Sequence, residues 1–498
     1  MLRVCDGGEA RARRRTRDVM NDVDPLDVAR LRTRDNPLRM KRARRTTTTK
    51  LGFPASARLQ VRPRVEKSPD DMSVAMAALR ATLVAAFVAF ASGSCLEPAV
   101  ELFVGVGCDP SGFYVEALGL HAALRAAGVC VRTPLLSRCE PDMRASLTAA
   151  ESAMSRDAGA FQDGRATPQV EVRWHNGETA ACPWTPAAVR AAERAGTVAI
   201  LRSMAEKTKL SKVLLECCAL VHETWVPTEW HRSLYRRAGC ENARTLPETV
   251  DAAIFRPRAS PGAETGTNER MLTSPSTTVF LSVFQWQARK APDALLEAYW
   301  TAFGPEDDVV LRVKSNVPRW AGQPFQNARE GVAHYAKKLR GVPCSALARV
   351  ETLEDRETTR EEMAQMYRSA HAFVLPSRGE GWCLPCAEAM SSDVLLIASD
   401  FSGVTAFANA ENSLPVRCPV ISSGKDAGYC EPDAEGLAWR MRWTHEHREE
   451  AAAMGRRGGE DMRERFGMRA VGERWREESA RAVRKISGRK RKGLVDVD

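Results

Sequence analysis

The sequence predicts an α/β protein made of two doubly wound, Rossmann-like domains of parallel sheet behind a basic extension. Three observations predict it. Residues 371–398 run strand, glycine-bearing loop, short helix, strand, and His371 to Leu375 and Val394 to Ala398 are apolar runs of the kind that form buried parallel strands. A second β-loop-α-β unit occupies residues 99–133. Residues 258–277, rich in Ser, Thr, Gly, Pro and Glu with almost no apolar content, separate the two as a linker. A chain of 498 residues exceeds one core, and about 100–200 residues per domain gives two or three.

The formal charge of +10 invites a nucleic-acid reading, but residues 1–71 hold 19 Lys/Arg against 10 Asp/Glu and the rest of the chain is nearly neutral. The basic character therefore belongs to an extension, residues 1–73, and no specific nucleic-acid partner is implied. Arg11 to Arg17 and Lys41 to Arg45 have few apolar residues around them, so this stretch is expected to be disordered and solvated. Residues 74–95 follow, with an 11-residue apolar run, Ala81 to Ala91, behind Arg80. That is the shape of a secretory h-region and is short for a membrane span. Three readings stay open: a signal whose start is Met72 or Met76, a signal anchor with a basic cytoplasmic tail, or an alanine-rich helix packed on the first domain. Secretory or membrane targeting is the favoured expectation.

The first domain, residues 97–257, opens with the strand Ala99 to Val106, a loop at 107–112, a helix from Phe113 to Ala127 stopped by Gly128, and a strand Val129 to Thr133. Residues 134–168 read as an insertion. Val170 to Trp174 alternates as a strand and ends at His175. Further strands are expected at Val198 to Met204 and Leu220 to Val226, with a helix at Leu210 to Ala219 between them. Thr228 should cap a helix starting at Glu229.

The second domain, residues 278–475, opens with the strand Thr278 to Phe284. Arg289 and Lys290 should begin the next helix, where Lys is a point charge and Arg a fork for an anion. Val309 to Val313 is a strand ending at Lys314-Ser315-Asn316. Thr359 and Glu362 have capping-box spacing, which places a helix over about 360–369. Residues from about 435 to 487 are helical and charge-rich, and 476–498 form a basic tail.

The informative stretch is Pro376 to Met390, PSRGEGWCLPCAEAM. Pro385 suits a first helical turn, which leaves the amides of Gly381, Trp382 and Cys383 at a helix N-terminus, where an anion binds. Glu380 on the loop and Glu388 in the first turn bracket that site. A carboxylate is poorly matched to phosphate but accepts well from the adjacent hydroxyls of a ribose or hexose. A phosphate pocket ringed by hydroxyl acceptors describes a nucleotide-sugar site.

Glu380 through Met390 resembles the Glu-x7-Glu signature of the retaining glycosyltransferases of family 4, the glycosyl transferases group 1, which have the GT-B fold. Phe280 to Leu296, Ala372 to Pro376, Glu431 to Arg442, Trp225 to His231 and Pro247 to Asp251 match the family's style and order, so the resemblance spans about 99–475. It implies two Rossmann-like domains facing each other across a cleft, and transfer of a sugar from a nucleotide diphosphate sugar to a carbohydrate, lipid or protein acceptor with retention. It implies Lys290 and Arg289 on the diphosphate, Glu388 on the ribose and Glu380 on the donor sugar. Gly381, Trp382 and Cys383 would supply amides, with Trp382 enlarging a slot in the sugar pocket. Ser111 and Gly112 would lie on the acceptor or phosphate loop, and His175 near the donor sugar. No metal or other cofactor is implied. Two departures stand out: Val283 and Phe284 lie where an extra arginine is frequent, and Ala291 replaces a frequent glycine. They leave open a degenerate GT-B protein that binds nucleotide or a partner without catalysis. A C-terminal helix should cross back onto the first domain.

Fourteen cysteines without regular spacing do not suggest a disulfide framework, in a chain too large to need one. Cys383 and Cys386 form a C-x-x-C, but no second pair completes a zinc site; beside the resemblance they fill variable slots in the signature. Should the structure bury Glu380 and Glu388 in ion pairs, or turn them away from the cleft dividing the lobes, the transferase reading falls.

Overall fold

Parallel strands need helical crossovers, so a chain of alternating strands and helices closes into layered sheets. The computed structural model describes residues 2–3, 96–103, 112–134, 167–175, 180–257, 274, 276–353 and 358–495. Residues 74–95, Ser111, most of the insertion and most of the linker lie outside the described residues, as does all of the extension except β1 (Leu2–Arg3). That strand pairs antiparallel with the edge of the second sheet, Leu2 opposite Thr352. No helix among the described residues is long and apolar enough to cross a membrane.

The first lobe is built from β2 (Leu96–Phe103), α1 (Gly112–Ala126), β3 (Val129–Arg132), β4 (Val170–Trp174), α2 (Pro186–Ala195), β5 (Val198–Arg202), α3 (Lys212–Leu220), β6 (Glu223–Val226), α4 (Glu229–Arg237) and β7 (Ala243–Thr245). Its sheet is wholly parallel in the order β3-β2-β4-β5-β6-β7. The Thr228 cap is present, its hydroxyl accepting from the His231 amide at 3.1 Å. Helix α2 and strand β7 were not anticipated; α2 is capped by Thr185 and stopped by Gly196 at φ 76°.

The second lobe comprises β8 (Thr278–Gln285), α5 (Pro292–Ala302), β9 (Val309–Asn316), α6 (Ala328–Arg340), β10 (Val350–Leu353), α7 (Arg360–Arg368), β11 (Ala372–Leu375), α8 (Leu384–Ser391), β12 (Leu395–Ser399), β13 (Leu414–Val416), α9 (Ala434–Glu446) and α10 (Arg448–Phe466). The order is β1-β10-β9-β8-β11-β12-β13, parallel apart from β1. Both halves of the Thr359/Glu362 capping box form. The strand order reverses between β8 and β11, and open α/β sheets bind ligands outside the strand ends at such a point.

The last helix, α11 (Met468–Val495), returns to the first lobe as expected. Its Val471, Trp475 and Ala482 complete the core there. Trp475 meets Trp225 edge-on at 5.1 Å and donates to the Pro247 carbonyl. Arg481 and Lys485 from the same helix pair with the buried Glu223.

The cysteine expectation fails. Cys182–Cys217, Cys218–Cys240, Cys383–Cys386 and Cys418–Cys430 are disulfides, and no described cysteine is free. Sequence spacing hid them because the fold chooses the partners. Adjacent Cys217 and Cys218 on α3 reach different elements, one before α2 and one after α4, at Cα separations of 5.5 and 5.7 Å that suit a disulfide.

Candidate active site

Two loops meet at the reversal point of the second sheet. The first follows β8, where Arg289 and Lys290 lie in a short 3-10 turn, Ala288–Lys290, and not at the start of α5 as expected. Ala291 separates the turn from α5 in the left-handed region, φ 51° and ψ 50°, and is fully buried. Alanine there costs about 1–2 kcal/mol of backbone energy, so the turn that glycine would favour is kept without one. The second loop runs from β11 to α8. Cys383 is the N-cap, also left-handed at φ 81°, and Pro385 sits in the first turn. Glu388 is therefore in the second turn of α8, one turn further in than expected.

Glu380 is buried between the two cations. Lys290 Nζ donates to both its carboxylate oxygens at 2.7 and 2.9 Å, and Arg289 Nη1 lies 3.2 Å from Oε2. Burial pushes the Glu380 carboxyl up, but Lys290 and Arg289 outweigh it and bring it down to about 2. Burial likewise lowers the Lys290 ammonium, against the pull of Glu380. The loop is fixed from below: the Glu380 amide donates to Ser402 Oγ at 2.8 Å, and the Gly403 amide to the Glu380 carbonyl at 2.9 Å. Among the described residues no group accepts from the amides of Gly381, Trp382 or Cys383. Three consecutive amides leading into a helix N-terminus, close in the fold to a Lys and an Arg, thus have no described acceptor, a combination of groups suited to an anion.

The other expected residues are spread more widely. Glu388 takes the Tyr367 hydroxyl at 2.9 Å, and no described hydrogen bond or ion pair joins it to Glu380, Lys290 or Arg289. Burial raises its carboxyl to about 7, a rise that Arg360 and the Tyr367 hydrogen bond reduce and Asp251 reinforces. Trp382 packs edge-on against Phe407 and Phe466 at 5.1 and 5.2 Å inside the second lobe, so its ring fills core and does not reshape a sugar pocket. His175 follows β4, its amide donating to the Arg202 carbonyl at the end of β5. Its imidazole is buried, with Nε2 unpartnered, and burial lowers its pKa, so it is neutral. Gly112 is exposed at the start of α1.

Several contacts carry no sequence signature. The β5–α3 loop of the first lobe closes on the second lobe: Glu206 Oε1 lies 2.9 Å from Arg289 Nη2, and the Thr208 amide donates to the Gly428 carbonyl at 2.9 Å. A side chain at Gly379 would strike the Glu206 backbone carbonyl, so that position needs glycine for lobe contact, and one at Gly381 would displace the Met204 side chain. Arg378 braces the 3-10 turn, held by Asp293 and Glu431 and donating to the Ala288 carbonyl at 2.6 Å. Trp230 meets Phe401 across the lobes at 5.2 Å. Of these residues, Phe401 and Ser402 lie in the 400–405 loop, which strand-end logic marks as facing the same crevice.

Comparison with known proteins covers the chain unevenly. Residues 355–461 match the family described as Glycosyl transferases group 1. A stretch of 173 residues is 29% identical to a D-inositol 3-phosphate glycosyltransferase of Geodermatophilus obscurus; it covers 35% of this chain and 36% of that protein, so the likeness spans about a third of the curated relative. Among solved structures, Anabaena Alr3699/HepE in complex with UDP and glucose superposes with a TM-score of 0.53 at 11% identity, over 77% of this chain and 99% of that one. The sucrose-phosphate synthase of Thermosynechococcus elongatus gives 0.53 at 15% identity, over 77% and 98%. The fold is GT-B. The group 1 match lies wholly within the second lobe and covers Glu380, the amides of 381–383 and Glu388.

Proposed function

We propose that this chain is a retaining, metal-independent glycosyltransferase of family 4 that moves a sugar from a nucleotide diphosphate sugar to a carbohydrate, lipid or protein acceptor. The observation that carries the reading is the set of free amides at 381–383 beside Lys290 and Arg289 at the reversal point of the sheet. The donor diphosphate would dock there, and charge developing on it as the glycosidic bond breaks would be neutralised by both cations and the amides. That grip asks for no divalent ion. Glu380 is ion-paired, but to the two cations that the diphosphate would engage. Donor binding then exchanges those partners and leaves the carboxylate to accept from sugar hydroxyls. Glu388 would accept from the ribose, and neutral His175 would face the donor sugar from the first lobe.

The disulfides support an oxidising compartment, since such bonds persist in secretory and extracellular settings. We place the reaction there, with residues 74–95 as the targeting or membrane-associating segment.

A thermal-shift screen of the full chain against UDP-, GDP- and ADP-sugars tests the donor reading; stabilisation by none of them defeats it. Nuclear magnetic resonance of the product, with and without a chelator, reads the anomeric outcome and the metal requirement. Glu388→Ala separates an enzyme from a degenerate binder of a protein partner: the enzyme loses nucleotide binding and turnover while its fold survives, whereas partner binding would be unchanged.

A further inference from the structure

The C-x-x-C lies at the anion end of α8 and has no part in the chemistry above. Cys383 occupies a left-handed position, φ 81°, that favours glycine, and its side chain is tied down by the disulfide. Its sulfur is bonded to Cys386, and the Cys386 amide points back at Cys383 Sγ at 3.3 Å. Cys386 is fully buried and Cys383 is 5% exposed, so an attacking thiol meets Cys383 first. The free amides of Gly381, Trp382 and Cys383 itself adjoin that sulfur in the chain.

We infer that Cys383–Cys386 is a redox modification site whose disulfide form keeps the anion end of α8 open to the donor diphosphate and whose dithiol form closes it. The inference rests on the donor reading above. The reaction partner is a dithiol of the class that exchanges disulfides within an oxidising compartment. Its thiolate attacks Cys383 Sγ, breaking the protein S–S bond, forming a mixed disulfide and releasing the Cys386 sulfur, which takes a proton. The second thiol of the reductant then resolves the mixed disulfide and leaves as a cyclic disulfide. Two electrons pass to the protein, and Cys383 is freed as a thiolate. A cysteine at a helix N-terminus and in a C-x-x-C is stabilised in that ionised form. The oxidised pair is neutral, whereas the reduced pair puts a negative charge where the diphosphate must sit. By linkage the diphosphate disfavours reduction as strongly as reduction disfavours it.

Titration of the full chain with inorganic pyrophosphate and with UDP, before and after reduction, tests this. Alkylation and mass spectrometry read the state of Cys383 and Cys386. The expected result is affinity weakened about tenfold or more by reduction, a gap that widens as pH rises and the thiol ionises, and slower reduction when pyrophosphate is present. Cys386→Ser should bind weakly with or without reductant, because it leaves Cys383 ionisable, and the double variant C383S/C386S should bind more tightly than C386S. Circular dichroism checks that both variants fold. Equal affinity of the oxidised and reduced chains would overturn the inference and leave the donor reading intact. Equal weakness of C386S and the double variant would overturn it too, since the loss would then be structural. Binding to neither form would remove the donor reading and the inference with it.

Discussion

Each lobe encloses a buried cluster of opposite charges, and the two are built for different ends. In the first lobe Glu116 and Arg202 pair at 2.7 Å with side chains 1% and 0% exposed. Trp174 Nε1 donates to the same carboxylate at 2.9 Å, Arg202 Nη1 to the Leu246 carbonyl at 2.6 Å, and Trp475 of α11 lies over the guanidinium. Burial, with Glu116 adding to it and Arg202 opposing it, drives the carboxyl of the neighbouring Glu248 well above the usual carboxylate range. Each partner is a fixed part of the fold, and the cluster ties α1, β4, β5 and α11 together. In the second lobe Glu380, Lys290 and Arg289 are 7%, 14% and 16% exposed, stand at the strand ends, and reach across the cleft to Glu206, itself 40% exposed. On the reading proposed above, a donor diphosphate would take the place of these carboxylate partners. Burial of charge alone therefore does not mark a site; the cluster a ligand could enter is the one whose cations stand partly exposed at the strand ends.

Breaking the first cluster should produce the largest effect, and it should be on stability. Arg202→Ala leaves Glu116 buried without its counter-ion, which costs about 3–5 kcal/mol. Chemical denaturation should show a lower midpoint, while turnover per folded molecule stays close to the parent. The second cluster should answer the opposite way. Lys290→Ala should cut sugar transfer by about 10²–10³-fold, the usual loss when one donor to a developing charge is removed, with a much smaller change in denaturation midpoint. Steady-state kinetics and denaturation on the same two variants check the contrast, and it fails if Lys290→Ala unfolds the chain while retaining activity.

The same contrast explains how much was legible beforehand. The strand–loop–helix–strand unit at 371–398 is contiguous in sequence, so its strands, its loop and Pro385 in the first turn of α8 could be read directly, as could the Thr228 and Thr359 caps, whose geometry is local. What failed was settled by contacts far apart in the chain. Glu206 and Met204 reach the second lobe only because β5 ends opposite it, and no local pattern announces that. The ring of Trp382 turned inward because Phe407 and Phe466 offered an apolar pocket, which spacing could not reveal. The disulfides were missed for the same reason. Tyr367 reads as one more apolar position on α7, yet its hydroxyl is what Glu388 engages.

Glu388 gives a pH test that the first cluster lacks. Its folded-state pKa is raised from 4.5 to about 7, so its protonated form favours the fold below about 4.5 and that contribution is lost as pH rises to about 7. On the proposed reading ribose hydroxyls would donate to the ionised form, so donor binding would release the proton. Affinity for a nucleotide sugar should rise about tenfold per pH unit below about 7 and level off above it. A nucleotide sugar is the right probe because its esterified diphosphate does not itself titrate there. Glu388→Gln should flatten the profile and weaken binding at pH 8 by about 1.5–3 kcal/mol, the worth of a hydrogen bond to a charged group. A slope that survives in Glu388→Gln would assign the titration to another group.

The smallest expected effect is also the most discriminating, because it changes the position of the curve and not its existence. The Tyr367 hydroxyl donates to the Glu388 carboxylate and so lowers its pKa, against the rise imposed by burial. Tyr367→Phe removes that donor and keeps the ring that packs on Phe255 and Phe373. The carboxyl should then titrate above its present value of about 7, and the plateau in donor affinity should move to higher pH with it. At pH 7 the loss should be about 1 kcal/mol, shrinking at higher pH as ionisation completes. A merely structural role for Tyr367 would weaken binding equally at every pH, so calorimetric titration across the range separates the two.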